Sequence, residues 1–287
     1  MDAETDTGLF GPGSATWRVH AEPILWLAGL RALYLQSLHP RAVAGVVQNS
    51  NYQQDAWGRL IRTANYVGAV VYGSTAAAHR AAARVRGVHR KMRGRDPDTG
   101  EEFRLDEPEL LLWIHITEVE SFASTARRAG LDLTDAEVDD YFAEQTRAAK
   151  LIGLDPATVP DSAAAVRAYY SRMRPRLRLS RAAVDTAHFL AAPPLPWGLG
   201  WTPVRGAWLG VSGLGFSLLP RWARRLYGMP GLPTTDLSAT VALRTLRAAI
   251  GTLPSSLSQG PIYADAMRRA ALARQPDPDS PAPPLAS

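Results

Sequence analysis

The chain of 287 residues contains no cysteine and carries a formal net charge of +5. Without cysteine it can form neither disulfides nor a thiolate metal site, so any metal must be held by His, Asp, Glu, Tyr or a cofactor. The arginines are spread along the chain, whereas nucleic-acid-binding domains concentrate charge in one stripe. No secretory leader and no run of about 20 apolar residues is visible, so we expect a cytoplasmic protein without a transmembrane segment.

Apolar residues recur at three- and four-residue intervals along most of the chain, which predicts an all-α protein. A first helix is expected from about Pro23 to His39, where Pro40 interrupts it. An amphipathic helix is expected after Thr134 and Asp135, and a turn-rich segment over 94–107 could form a short hairpin. Other helices are predicted at about 56–72, 74–92, 108–129, 162–174, 180–190, 206–225 and 235–252.

We predict a single main helical domain over residues 11–252. A flexible N-terminus (1–10) would precede it, and a helical appendage (253–274) and a disordered Pro-rich tail (275–287) would follow. The segment Ala192–Pro220 is rich in Trp, Gly, Pro and Leu. It could line an apolar pocket, rest on a membrane surface as a peripheral contact, or form a broken pair of core helices. We favour the core interpretation, because most apolar segments are core.

Three histidines lie on apolar helical stretches: His39, His89 and His115. Val85 and Met92 share the face of His89, which indicates an inward-pointing ring. A single inward histidine suits a haem axial ligand better than zinc, because zinc needs three or four protein ligands and haem iron needs only one. The alternative is an ordinary core histidine with a hydrogen-bond partner.

His115 and Glu118 are spaced i, i+3 and share a helical face. Glu118 could orient an axial histidine, or His89, His115 and Glu118 could form a non-haem iron site of two histidines and one carboxylate. A buried hydrogen-bonded pair without metal is equally compatible with the spacing. His39 precedes a proline and is expected to cap the following helix through its ring.

The segment RLIRT places Arg59, Arg62 and Thr63 on one helical face. Together they offer several hydrogen-bond donors toward one point, where they could bind a carboxylate, a phosphate or an oxygen species on a metal. The alternative is a surface arginine pair with the threonine packed against a neighbouring helix.

The order of several short motifs resembles one known family. They are GPGSATWRV, LQSLHPRAVAGV, RLIRT, YVGAVVYG, VRGVHRKMRG, the DPDTGEEF turn and LLWIHITEVESF, and the likeness covers roughly Gly11 to Thr252. This is the bacterial and fungal oxygenase family that includes the latex-clearing rubber oxygenases. It also includes the fungal oxygenase that cleaves the farnesyl chain during mycophenolic acid biosynthesis.

The resemblance implies an all-helical fold with a globin-like core and haem b. It assigns the proximal ligand to His89, and it places Arg59, Arg62 and Thr63 on the opposite, distal side. Rubber oxygenases carry lysine where this chain has Arg62. Because arginine stays protonated, it cannot readily coordinate iron as a neutral lysine can. His115 has no clear counterpart in rubber oxygenases and is the main rival to His89.

We therefore expect a haem b oxygenase that uses O2 or peroxide on a small apolar, isoprenoid-like substrate, with an electron donor that the sequence does not identify. His39 and Glu118 would lie near the cofactor. The alternatives are a non-catalytic haem or lipophile carrier, and the non-haem iron enzyme described above.

Overall fold

The computed structural model describes residues 5–50, 54–194, 203–254 and 260–274, and it confirms the all-α prediction. Thirteen α-helices and one two-stranded hairpin occur in these ranges. In chain order they are α1 (Ala15–His20), α2 (Leu25–Ser37), α3 (Pro40–Asn49), α4 (Ala56–Tyr72), α5 (Thr75–His89), β1 (Arg93–Arg95), β2 (Glu102–Arg104), α6 (Pro108–Arg128), α7 (Asp135–Leu151), α8 (Ala163–Met173), α9 (Arg181–Ala191), α10 (Pro203–Ser217), α11 (Arg221–Leu226), α12 (Pro233–Gly251) and α13 (Pro261–Leu272). No described helix combines the length and the apolar character that crossing a bilayer requires.

The helix starts follow the capping signals in the sequence. The Asp55 carboxylate accepts a hydrogen bond from the backbone N–H of Gly58 and begins α4, a helix that has the predicted bounds. Thr134 and Glu137 form a complete capping box at the start of α7, which confirms the predicted cap. These side chains satisfy backbone donors that the first helical turn leaves without a partner.

Two predicted helices differ from those observed. The predicted first helix begins at Leu25, and an unpredicted short helix, α1, precedes it. The Ser14 hydroxyl caps α1 by accepting a hydrogen bond from the backbone N–H of Trp17. Glu144 of α7, distant in sequence, accepts hydrogen bonds from the backbone N–H groups of Ala15 and Thr16. The predicted helix over 206–225 is two helices, α10 and α11, because Pro220 lacks an N–H and cannot continue the first.

The longest helix, α6, lies at the centre of the main hydrophobic core. The α2 helix packs along it, and α7 and α8 contribute further core side chains. Trp113 of α6 has no exposed surface, and its indole N–H donates to the backbone oxygen of Gln36 at 3.3 Å. Truncating a residue of this size in a packed core costs about 3–5 kcal/mol, so this contact is a major part of the α2–α6 interface.

The hairpin connects α5 to α6 through a close backbone approach. Arg93 pairs with Arg104 and Gly94 pairs with Phe103 in antiparallel register. A Cβ atom at Gly94 would lie 2.4 Å from the Phe103 ring, so only glycine fits there. The predicted short hairpin is therefore present.

The N-terminal segment and α13 meet at the turn between α4 and α5. The Asp6 carboxylate accepts hydrogen bonds from the backbone N–H and hydroxyl of Thr75. The Arg269 guanidinium of α13 donates to the backbone oxygens of Asp6 and Tyr72. The predicted domain boundaries stay predictions. The tail 275–287 and residues 195–202 of the Trp-rich segment lie outside the described residues.

Candidate functional site

The α4 and α5 helices follow each other in the chain, joined by Gly73 and Ser74, and they pack against each other. The RLIRT segment lies in the first half of α4 and His89 ends α5, so both lie away from the junction at Gly73 and Ser74. Residues 60–65 of α4 are all exposed, so this part of the helix is not covered by the described residues.

His89 is half-buried at the last position of α5. Burial lowers the pKa of its imidazole below the usual 6.5, and Asp106 partly opposes this effect. Within the described part of the chain, neither ring nitrogen has a hydrogen-bond partner. His89 is therefore a neutral imidazole with an unshared lone pair, the form that binds a metal.

The parts of α4 and α5 that lie away from this junction leave large apolar side chains in solvent. Leu60 is 41% exposed and Ile61 is 59% exposed on α4, and Val88 is 45% exposed on α5. Apolar residues grouped beside an unpartnered polar group are typical of a surface that covers a ligand.

The three RLIRT side chains form local contacts. Arg59 donates to the Ser50 hydroxyl at 2.7 Å, and Thr63 donates its hydroxyl proton to the backbone oxygen of Arg59 at 3.0 Å. Arg62 forms an exposed ion pair with Asp55 at 2.9 Å. The shared helical face is confirmed, but the donors do not meet at one point. A ligand would have to compete with these contacts, which are weak at an exposed site.

His115 occupies a different environment from His89. Its Nδ1 donates to the backbone carbonyl of Gln145 on α7, whereas Nε2 is buried and has no partner. Burial lowers the pKa of this imidazole to about 4, so the ring is neutral. A free Nε2 with Nδ1 fixed by a carbonyl resembles a ligating histidine. However, this Nε2 is enclosed by protein, so no group can reach it without opening the core.

Glu118 is partly accessible, but the protein around it is dense enough that desolvation raises its pKa to about 7. Its charge raises the pKa of Tyr66 on α4 and of Tyr141 on α7, in addition to the larger effect of burial on both phenols. His20 lies 3.3 Å from the Tyr141 hydroxyl, and burial lowers its pKa to about 3. Glu118 therefore belongs to a polar cluster between α1, α4, α6 and α7.

Sequence reasoning missed Tyr66, Tyr141 and the involvement of His20. Tyr66 could have been found, because it follows Thr63 by one turn and extends the face of the RLIRT segment. No signal within one helix identifies Tyr141, because its contacts depend on how α7 packs against α6.

His39 is a helix cap, as predicted. Its Nδ1 accepts a hydrogen bond from the backbone N–H of Ala42 at 3.3 Å and begins α3. Burial lowers its pKa to about 4, so the nitrogen remains an acceptor at neutral pH. This position gives His39 a structural role beside Trp113, whose ring centroid is 6.0 Å away.

The three-ligand iron site is not formed. Across residues 5–50, 54–194, 203–254 and 260–274, no group of three or more His, Asp and Glu side chains is arranged to hold a metal ion. His89 lies at the exposed end of α5, whereas the free Nε2 of His115 is enclosed in the core. The described residues therefore give no support to His89, His115 and Glu118 as one ligand set.

Comparison with known proteins gives one family. The family described as ER-bound oxygenase mpaB/B'/rubber oxygenase, catalytic domain, matches residues 17–278, which is almost the whole chain. Searches of curated proteins and of solved structures gave no match. The match begins within α1 and extends past α13, and it includes the predicted site residues His39, Arg59, Arg62, Thr63, His89, His115 and Glu118. The chain therefore belongs to the mpaB and rubber oxygenase family.

Proposed function

We propose that this oxygenase depends on haem b, with His89 as the axial ligand, and acts on an apolar substrate of the isoprenoid class. The observation that carries the proposal is the His89 ring, neutral and without a partner beside exposed apolar side chains. The RLIRT segment lies on α4, the helix that precedes α5 and packs against it.

The residues present fit this cofactor. Bound haem supplies an iron centre that activates O2, whereas the protein supplies binding and electrostatics. The His89 imidazole would hold the iron through its free lone pair. Leu60, Ile61 and Val88 would cover apolar surface of the cofactor and substrate, which removes these side chains from water.

Arg59 and Arg62 would act as permanent cations on the oxygen side. Arginine remains protonated and cannot coordinate iron as the lysine of rubber oxygenases can. Both side chains would therefore stabilise negative charge by hydrogen bonding. Arg62 must leave Asp55 to do so, and this exposed pair is worth only about 0–1 kcal/mol. The free energy lost when this ion pair breaks is therefore small compared with the binding free energy of a cofactor.

His115 is the weaker choice as ligand. Its Nε2 has no partner, but the atom is enclosed in the core. Coordination there would require α6 and α7 to separate, at the expense of the packing between their buried side chains.

The proposal is tested by oxygen uptake of the hemin-loaded protein with squalene and with its saturated analogue squalane. Oxygen uptake and carbonyl products with squalene alone would support cleavage at a carbon–carbon double bond. Hemin binding without uptake for any unsaturated isoprenoid would favour the carrier alternative. Iron bound without porphyrin would contradict the haem assignment.

A further inference from the structure

Three aromatic rings connect the core to the surface on the side of α6 that faces α8 and α11. The Trp113 and Tyr170 ring centroids are 6.1 Å apart, and those of Tyr170 and Trp222 are 5.6 Å apart. Trp113 has no exposed surface, whereas Trp222 is half-buried beneath the Arg174 guanidinium, 5.2 Å from its ring. Electrons move readily between indole and phenol rings at such separations.

The middle ring has a proton acceptor. The Tyr170 hydroxyl donates to a Glu120 carboxylate oxygen at 3.1 Å. Arg31, which is almost fully buried, donates to both oxygens of that carboxylate at 2.6 and 3.0 Å. A phenol becomes strongly acidic when it loses an electron. A carboxylate already bonded to its hydroxyl therefore makes oxidation of this tyrosine easier.

The neighbouring tyrosine lacks this arrangement. The Tyr169 ring lies 6.4 Å from Trp113, almost the same distance as that of Tyr170. Both side chains are buried, but the Tyr169 hydroxyl has no hydrogen-bond partner. The two residues are therefore alike in their distance to Trp113, but only Tyr170 has a proton acceptor and a ring contact with Trp222.

We propose that Trp222, Tyr170 and Trp113 form an electron-transfer chain in which Tyr170 is the radical site. A one-electron oxidant at the surface takes an electron from Trp222, and Tyr170 then reduces the oxidised indole. The phenolic proton passes to Glu120. One electron from an external one-electron reductant and the proton held by Glu120 return Tyr170 to its resting state. This chain does not depend on the proposed haem site, and it would carry electrons between the surface and the core of an oxidising enzyme.

The absence of cysteine allows a direct test. Arg225→Cys places a single exposed thiol one helical turn from Trp222, and a ruthenium polypyridyl complex attached there serves as photo-oxidant. Transient absorption and electron paramagnetic resonance should show a tyrosyl radical after flash oxidation. The signal should persist in Tyr169→Phe, disappear in Tyr170→Phe and form more slowly in Glu120→Gln.

A tyrosyl signal of equal yield in Tyr170→Phe, or its loss in Tyr169→Phe, would overturn the proposal. Circular dichroism checks that each variant is folded. A further measurement needs no change at Tyr170, because the label-bearing protein itself should form the radical more slowly in heavy water. Equal rates in the two solvents would contradict the prediction that transfer of the phenolic proton to Glu120 limits radical formation.

Discussion

Replacing Glu118 by glutamine should stabilise the protein at neutral and alkaline pH and leave its stability unchanged near pH 4.5. Burial raises the pKa of this carboxyl from 4.5 to about 7, so the folded state binds the proton more tightly than the unfolded state. The free energy of unfolding therefore falls as the pH rises from 4.5 to about 7, and above that range this carboxyl no longer makes it change with pH. Glutamine has the same shape and no charge to desolvate.

The magnitude follows from the shift. One pKa unit corresponds to about 1.4 kcal/mol, so a rise from 4.5 to about 7 corresponds to about 3 kcal/mol once the carboxyl is fully ionised. Glu118→Gln should exceed the wild-type protein in stability by this amount at about pH 8. The two proteins should agree near pH 4.5, where wild-type Glu118 is protonated in the folded state.

Urea unfolding followed by circular dichroism across this pH range measures the difference. Glu102→Gln is a matched control, because that side chain is 69% exposed and its only described ion pair is long, at 3.9 Å. The free energy of unfolding of Glu102→Gln should differ little from that of the wild-type protein, and the difference should not change with pH. A difference for Glu118→Gln that does not change with pH would refute the claim that the folded protein keeps this carboxyl protonated.

Three further changes have specific outcomes. His39→Ala should lower the free energy of unfolding by about 1 kcal/mol through loss of the α3 cap, and His39→Asn should restore most of it in the same urea assay. Arg31→Met should destabilise the protein by about 3–5 kcal/mol, because it leaves the Glu120 carboxylate without its cation, and thermal melting measures the loss. Arg62→Lys should make the absorption spectrum of the hemin-loaded protein pH-dependent, because a neutral lysine can coordinate iron; an unchanged spectrum would place this side chain away from the cofactor.

Much of the fold follows from local sequence signals. The bounds of α4 and α6 and the start of α7 agree closely with prediction, because apolar periodicity coincides there with a capping residue or, in α6, with a proline in the first turn. The start of α1 has a local signal in the Ser14 cap, but it also depends on Glu144 from a distant helix, which spacing does not reveal. The break between α10 and α11 required more weight on Pro220 than on the apolar pattern around it.

The candidate site was predictable only where one helix determines it. The shared face of Arg59, Arg62 and Thr63 and the cap formed by His39 follow from spacing within the chain. The hydrogen bond of His115 to Gln145 depends on the packing of α6 against α7, which spacing does not reveal. Spacing likewise does not reveal that His89 lies in exposed surroundings whereas His115 is enclosed in the core.

The most direct test of the account is a hemin titration of the purified protein and of its His89→Ala and His115→Ala variants, with the Soret band as readout. We predict a stoichiometric Soret band in the wild-type protein and in His115→Ala. The band should be lost or strongly altered in His89→Ala and restored when imidazole is added to the buffer. No Soret band in the wild-type protein, or a band that is lost in His115→Ala and unchanged in His89→Ala, would contradict the assignment.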